Sequence, residues 1–331
     1  MVVVAVAGGT GAVGRTMVKA MVSSGHHMVY VLSRTADMVP GGGDCEQPKR
    51  LLVDYSSVEQ IAATLRRHRI EAVVSALLLV DQQAAESQVR LIRGAALSGT
   101  VTKFIPSEFH LDFHAPIQGI DLFMKKFQLE SERELERQPH LTWTLIRNGL
   151  FLDYLGTPFQ PKAKPTELMR WCIFVDLENE VCVFPGDGTK VMTFTHSSDL
   201  AAYVERMISL PAKNWPRHSL IKANRLEIKD LAGIVAKVTG RTFRTIYDAE
   251  GAVRRGQITQ LPFNEALFAD EQWGDLYRLV EKETMVTLLS DGYDMRGSDL
   301  AEFFPGVEIT SVEDFLRQCW LVKETGSSNA A

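Results

Sequence analysis

Apolar residues in the first half of the chain fall into two kinds of run that take turns. One is short, unbroken and rich in valine. The other is longer, with an apolar residue at every third or fourth position. Val2-Val3-Val4-Ala5-Val6, inside the apolar stretch Met1–Ala7, reads as a strand buried on both faces. Ala12–Ser24 reads as a helix with Val13, Met17, Ala20 and Met21 on one side and Gly25 closing it. His27–Ser33 is a second strand, and Leu51–Asp54, Glu71–Ala76, Thr102–Pro106 and Thr142–Arg147 are predicted to be four more. Between them Ser57–His68, Gln82–Ser98 and Asp121–Gln138 fit helices. Gln82–Ser98 turns Ala85, Val89, Ile92 and Ala96 inward, and the third becomes strongly charged over Glu130–Arg137. Val39–Lys49, with three consecutive glycines and Pro48, reads as a loop. Strands and helices alternating at this length predict an α/β fold built on a doubly wound parallel sheet.

The turn between the first strand and first helix reads Gly8-Gly9-Thr10-Gly11-Ala12-Val13-Gly14. Strand, glycine turn and helix form a dinucleotide cradle. The glycines let the backbone approach a pyrophosphate, which sits on the free N–H groups and positive dipole of the helix start. Two registers overlap: Gly9-x-Gly11-x-x-Gly14, and the wider Gly8-x-x-Gly11-x-x-Gly14 of extended and atypical short-chain dehydrogenases. The expected architecture is therefore an NAD(P)-binding Rossmann fold over residues 1–155. A smaller α/β region for substrate is expected over 156–331, some of whose segments return to the main sheet.

The second half is less regular. Pro158, Pro161 and Pro165 mark the crossing into it. Cys172–Val175 and Glu180–Phe184 look like strands, followed by the turn Pro185-Gly186-Asp187-Gly188. Ser198-Asp199 opens a helix over Leu200–Ser209, Glu227–Thr239 is another ending at Gly240, and the tail from Glu324 is expected to fray.

Composition narrows the classes. The 331 residues carry a net charge of −5, which speaks against a nucleic-acid partner. No apolar stretch approaches the roughly 20 residues needed to span a bilayer, so no membrane partner is expected. The N-terminal apolar run has no basic flank and leads straight into the glycine turn, unlike a signal peptide. Cys45, Cys172, Cys182 and Cys319 lie far apart without CxxC spacing and read as reduced thiols of a cytoplasmic protein.

The second strand carries information on the cofactor. An NAD-selective site usually ends this strand in an acid for the ribose 2′-hydroxyl. Here the strand ends Ser33-Arg34-Thr35, and a guanidinium can pair with a 2′-phosphate that a carboxylate would repel. NADPH is the expected cofactor, with Arg34 as the phosphate clamp and Arg15 in support; Asp37 lies beyond the expected strand end.

In an open parallel sheet the ligand lies at the carboxyl ends of the strands, which points to the loops after Ala76, Ile105 and Arg147. No Tyr-x-x-x-Lys occurs, so the usual acid/base pair of short-chain dehydrogenases is missing.

The glycine turn with Arg34, the segment Phe104-Ile105-Pro106-Ser107-Glu108-Phe109, and Phe123-x-x-Lys126 together resemble the NmrA-like and isoflavone reductase-like family of atypical short-chain dehydrogenases. Trp143–Gly156 and Gly186-Asp187-Gly188 with Ser198-Asp199-Leu200 are similar to fungal members in particular. The resemblance implies that Lys126 lies beside the nicotinamide as general acid/base, with a lowered pKa if partly desolvated; Lys125 is its neighbour. It implies that Asn148 occupies a position at the site, and Phe151 and Tyr154 could wall a flat substrate. Phe109, in the loop after Ile105, is expected on the substrate side as well. Members usually carry glycine after Pro-Ser-Glu-Phe, whereas this chain has His110, with His114 four residues on. Both are expected to line the substrate pocket, and no third metal ligand is evident.

The leading expectation is an NADPH-dependent reductase of secondary metabolism acting on a small aromatic or polyketide-like carbonyl, enone or benzylic substrate. Two alternatives share the scaffold. One is a non-redox isomerase, dehydratase or cyclase; the other is a dinucleotide-sensing regulator that binds a protein partner without catalysis.

Overall fold

A computed structural model of the chain describes residues 1–35, 48–118 and 120–328. Asp37 and most of the predicted glycine loop, residues 39–47, lie outside the described residues, as does the end of the tail. Six strands form the main sheet: β1 (Val2–Ala7), β2 (His27–Ser33), β3 (Lys49–Leu52), β4 (Ala72–Ser75), β5 (Lys103–Ile105) and β6 (Thr142–Trp143). Their order is β3-β2-β1-β4-β5-β6, every neighbouring pair parallel, which is the doubly wound arrangement expected. The chain reverses its winding between β1 and β4, so the loops after these two strands diverge and leave a crevice.

Alternate residues of β1 serve two helical layers. Val4 and Val6 pack with Met17, Val18 and Met21 of helix α1 (Ala12–Ser24). Ala5 and Ala7 pack with Ile61 and Leu65 of α2 (Val58–Arg67) and with Leu91, Ile92 and Ala95 of α3 (Gln82–Ser98). All four β1 residues are fully buried. Each buried valine contributes about 1.5–3 kcal/mol, which is why this strand tolerates no polar position. α3 begins where predicted because Asp81 caps it, accepting the Ala84 amide at 2.7 Å.

The helix α4 (Lys125–Glu136) starts later than the predicted Asp121. Leu122, which fits the helical periodicity, is buried in the C-terminal core instead. The predicted strand Thr142–Arg147 divides. After β6 the chain leaves the main sheet, and β7 (Leu145–Arg147) is followed by β8 (Leu150–Phe151). The hinge is Thr144, whose buried hydroxyl meets that of Ser219 at 2.7 Å. Of Cys172–Val175 only the end is strand, β9 (Val175–Asp176), because Phe174 adopts φ 67°. β10 (Val181–Pro185) and β11 (Val191–Thr195) follow, then α5 (Ser197–Ser209). α5 returns to the first half and shares the core of α1 through Leu200, Tyr203, Val204 and Met207.

β12 (His218–Leu220) pairs in parallel with β7. The predicted helix from Glu227 begins only at Asp230, as α6 (Asp230–Thr239). Its supposed first residue ends β13 (Asn224–Glu227), which is antiparallel to β11. β14 (Arg244–Asp248), α7 (Glu250–Arg254), α8 (Glu265–Phe268), α9 (Gly274–Leu289) and α10 (Leu300–Phe303) carried no prediction. The expected frayed tail is helical instead: α11 (Val312–Ser328) runs through Glu324 and docks Phe315, Leu316, Cys319 and Trp320 into the C-terminal core. Among the described residues no helix is long and apolar enough to cross a membrane.

Candidate active site

The glycine turn is built by close backbone approach. Gly8 adopts φ +72°, and a Cβ there would lie 2.4 Å from the Ala76 carbonyl oxygen. A Cβ on Gly14 would lie 2.2 Å from the Gly8 carbonyl oxygen. The turn closes through Gly11 N–H donating to the Gly8 carbonyl at 2.9 Å. Gly11 then caps α1 with no side-chain oxygen, and its own Cβ position is nearly open. Backbone amides at this helix start are thus left for an outside acceptor, as a pyrophosphate requires. Thr10 is exposed at the tip, Ala12 and Val13 are half-buried, and Ala76 is held by its N–H bond to Ala7 O at 2.8 Å. The residues present therefore fit a dinucleotide.

Arg34 is exposed at the end of β2 and lines a cavity of about 540 Å³. Asp54, Tyr55, Ser56, Gln60 and Arg90 share that wall. Arg90 is a cation the sequence reading did not single out; it is paired with Glu86 at 2.6 Å. Arg15, expected to support Arg34, is committed elsewhere: it donates to Glu167 at 2.9 Å and to the Thr10 carbonyl at 2.9 Å.

A second cavity, about 440 Å³, is lined by Val80, Gln82, Asp121, Phe123, Lys126 and Phe127. Asp81 lines both cavities, so Arg34 and Lys126 stand at two ends of adjoining space along the carboxyl edge of the sheet. Lys126 is exposed in the first turn of α4, with Nζ 4.6 Å from the Phe127 ring centroid. The partial desolvation expected of it is not a property of the bare protein.

His110 packs against the C-terminal half, in a cleft it shares with Leu122, Met124 and residues of α9. Its Nε2 is 2.8 Å from the Tyr293 hydroxyl, with the rings edge to face. Burial alone pushes the imidazole down to about 4, so it is neutral at physiological pH. His114 goes elsewhere: it is exposed and pairs through Nε2 with Glu132 at 2.6 Å. The two histidines therefore do not converge, and among the described residues no cluster of three or more His, Cys, Asp or Glu could hold a metal.

Asn148 is fully buried at the strand end, where its carbonyl accepts the Thr195 hydroxyl at 2.8 Å. The following Gly149, at φ +70°, lets the chain pass 2.2 Å, by Cβ position, from the Thr193 carbonyl. Phe109 and Phe151 pack against the core shared by α1 and α5. Phe151 touches Tyr154 (6.4 Å between centroids), Tyr154 touches Trp171 (5.6 Å), and Trp171 touches Tyr277 (6.1 Å). The predicted aromatic wall is thus one end of a four-ring chain.

Several residues around the site carried no sequence prediction. Glu108, within the Pro-Ser-Glu-Phe segment, accepts from Nε of the buried Arg147 at 2.7 Å, and Asp112 lies 3.1 Å from the same guanidinium. Glu283 of α9 accepts the Phe123 amide at 2.8 Å and so holds the turn that precedes Lys126. Val280, Glu283, Thr284 and Thr287 follow helical spacing i, i+3, i+4, i+7, and all face the cleft beside His110. Polar residues at the helical spacing of a core-facing stripe are the signal that could have revealed them.

The NmrA-like family model matches residues 2–316. The oxidoreductase swnN of Metarhizium robertsii is 51% identical, over 98% of this chain and 99% of its own. The protein of the same name from Arthroderma benhamiae is 45% identical, with the same coverage. Among solved structures, a binary complex of leucoanthocyanidin reductase with NADPH from Vitis vinifera superposes with a TM-score of 0.72. It covers 96% of this chain and 99% of its own at 18% identity, a likeness of fold.

Proposed function

Starting from a chain that belongs to the NmrA-like family, we propose that this member is an NADPH-dependent reductase of a small substrate bearing a carbonyl, enone or benzylic carbon, aromatic or polyketide-like in skeleton. The observation that carries the reading is the pair of adjoining cavities joined at Asp81, with a guanidinium at one end and a lysine at the other. Bound NADPH would supply the hydride. Gly8, Gly9, Thr10, Gly11, Ala12, Val13 and Gly14 would hold its pyrophosphate, Arg34 its 2′-phosphate and Ala76 the backbone edge of the crevice.

Lys126 then supplies the proton, at the oxygen that becomes negative as the substrate is reduced. An exposed ammonium becomes effective in this role once a flat substrate covers it and excludes water. His110, Asn148, Phe151 and Tyr154 are assigned to the substrate side, with Phe109 beneath them; His114 belongs to the rim. The C-terminal half, from about residue 156, closes over the reacting end and selects the substrate.

The test is a titration with NADPH followed through its nicotinamide absorbance while aryl ketones, enones and benzylic ethers are added in turn. Loss of the absorbance with product formation is expected. Substrate conversion with the absorbance unchanged would instead establish an isomerase, dehydratase or cyclase. Tight binding with no conversion across the series would establish a dinucleotide sensor.

A further inference from the structure

His110 and Tyr293 lie 183 residues apart in sequence, yet their polar atoms meet at 2.8 Å. The geometry of the segment 290–293 is dedicated to this meeting. Asp291 takes φ 60°, and Gly292 N–H returns to the Thr287 carbonyl at 2.9 Å. A Cβ on Gly292 would stand 2.5 Å from the Thr287 methyl and 2.7 Å from Ile117. The Tyr293 carbonyl is fastened in turn by the Thr193 hydroxyl at 3.0 Å. The result is a fully buried tyrosine whose hydroxyl meets His110 Nε2, with Thr284 lining the same cleft.

The direction of the protons follows. The neutral imidazole has one N–H and one lone-pair nitrogen. Of the two groups the phenol O–H is the stronger donor and a neutral imidazole nitrogen the stronger acceptor. The single phenol proton is then free for the best acceptor in reach, an imidazole nitrogen. With Nε2 accepting, the ring proton must sit on Nδ1. That Nδ1 is buried and has no partner among the described residues, and the Thr287 hydroxyl on the same cleft is in the same condition. The cleft has room of about 10 Å³, the scale of one oxygen atom with its hydrogens.

We infer that Tyr293 is a positioning residue that locks neutral His110 as its Nδ1–H tautomer, aiming a hydrogen-bond donor at a single oxygen acceptor in the cleft. The acceptor is a substrate oxygen or a water held in its place. Only what this donor acts on rests on the reductase reading; the tautomer does not.

The experiment is nitrogen NMR of the full-length protein labelled with ¹⁵N-histidine, with His110 assigned by loss of its signals in His110→Asn. Expected is a pyrrole-type Nδ1 and a pyridine-type Nε2. Tyr293→Phe should collapse both toward averaged values. Acetophenone, used as a carbonyl probe, separates the two acceptors. A displaced Nδ1–H signal marks a substrate oxygen; an unmoved signal with exchange cross-peaks to water marks a water. An Nε2–H tautomer in the native protein, or an unchanged tautomer in Tyr293→Phe, overturns the inference. NADPH oxidation across the series of aryl ketones, enones and benzylic ethers is followed on the same protein; its absence beside the expected tautomer would overturn the reductase reading alone.

Discussion

Both carboxylate oxygens of Asp153 are bonded to Ser197: Oδ2 accepts its amide at 2.8 Å and Oδ1 its hydroxyl at 2.6 Å. Thr166 also donates to Oδ1 at 2.6 Å, and His196 Nε2 lies 3.6 Å away. Serine, histidine and aspartate are thus gathered, but the serine donates to the acid and is buried, so the cluster is a fastening for the start of α5 and not a nucleophile. Asp153→Ala leaves these donors unpaired and should lower stability by about 2–4 kcal/mol, with Asp153→Asn intermediate. Urea denaturation reads it directly; an unchanged midpoint would refute the fastening role.

Gly8→Ala places a methyl where only 2.4 Å separates its carbon from the Ala76 carbonyl, on a backbone with positive φ. We expect NADPH affinity to fall at least about tenfold and stability by about 1–3 kcal/mol. Gly25→Ala has comparable φ and nothing within 4 Å of the new methyl, so it serves as the control for backbone strain alone. Equal NADPH affinity in the two variants would count against the cradle.

Removing the guanidinium of Arg34 tests cofactor choice. Arg34→Ala should weaken NADPH by about 10–100-fold, the scale of one or two hydrogen bonds to a charged group. NADH should change little. Calorimetric titration of both cofactors gives the ratio, and a preference that survives the substitution would move the phosphate site away from β2.

Lys126→Ala should keep NADPH affinity within about twofold while lowering turnover by about 10²–10⁴, the usual contribution of a general acid. Lys125→Ala is the neighbour control and should retain most activity. Turnover is followed by nicotinamide absorbance with whichever substrate the screen identifies. Full activity in Lys126→Ala would assign the proton transfer to another group.

Glu281 gives a pH signature. It is buried in α9, and burial, with a smaller contribution from Asp248, pushes its carboxyl from about 4.5 up to about 7. An acid with a raised pKa when folded binds more protons in the folded than in the unfolded chain. Its contribution to stability therefore falls as pH rises from about 4.5 to 7 and stays low above. Glu281→Gln should flatten that fall and exceed the native protein by about 1–3 kcal/mol at pH 8, while matching it near pH 4. Chemical denaturation at the two pH values decides; parallel pH profiles would show that Glu281 is not the group responsible.

The first half of the fold was legible because each of its elements is specified locally. Six residues, four of them valine, make β1, and Asp81 caps α3. Gly8 and Gly14 meet backbone that directly follows β4 and β1, at Ala76 and Gly8. The division at Thr144 was not legible, because its cause is Ser219, 75 residues on. Likewise the start of α4 depends on where Leu122 is buried, and the environment of His110 depends on a tyrosine near the far end of the chain. Motif positions such as Arg34 and Lys126 could be named from spacing. Whether a side chain is exposed, paired or buried is set by long-range packing, which spacing does not encode. The pairing of Arg15 is an example, its partner being Glu167, which lies beyond the irregular crossing.

Glu283 reaches across 160 residues of sequence to hold the amide of Phe123, on the turn that precedes the lysine. A recombinant chimera that joined the first half of this protein to the second half of a relative would exchange that tether along with the substrate-facing surface. The two halves thus form a matched set, and transplanting substrate preference between relatives requires α9 and the 121–124 turn to travel together.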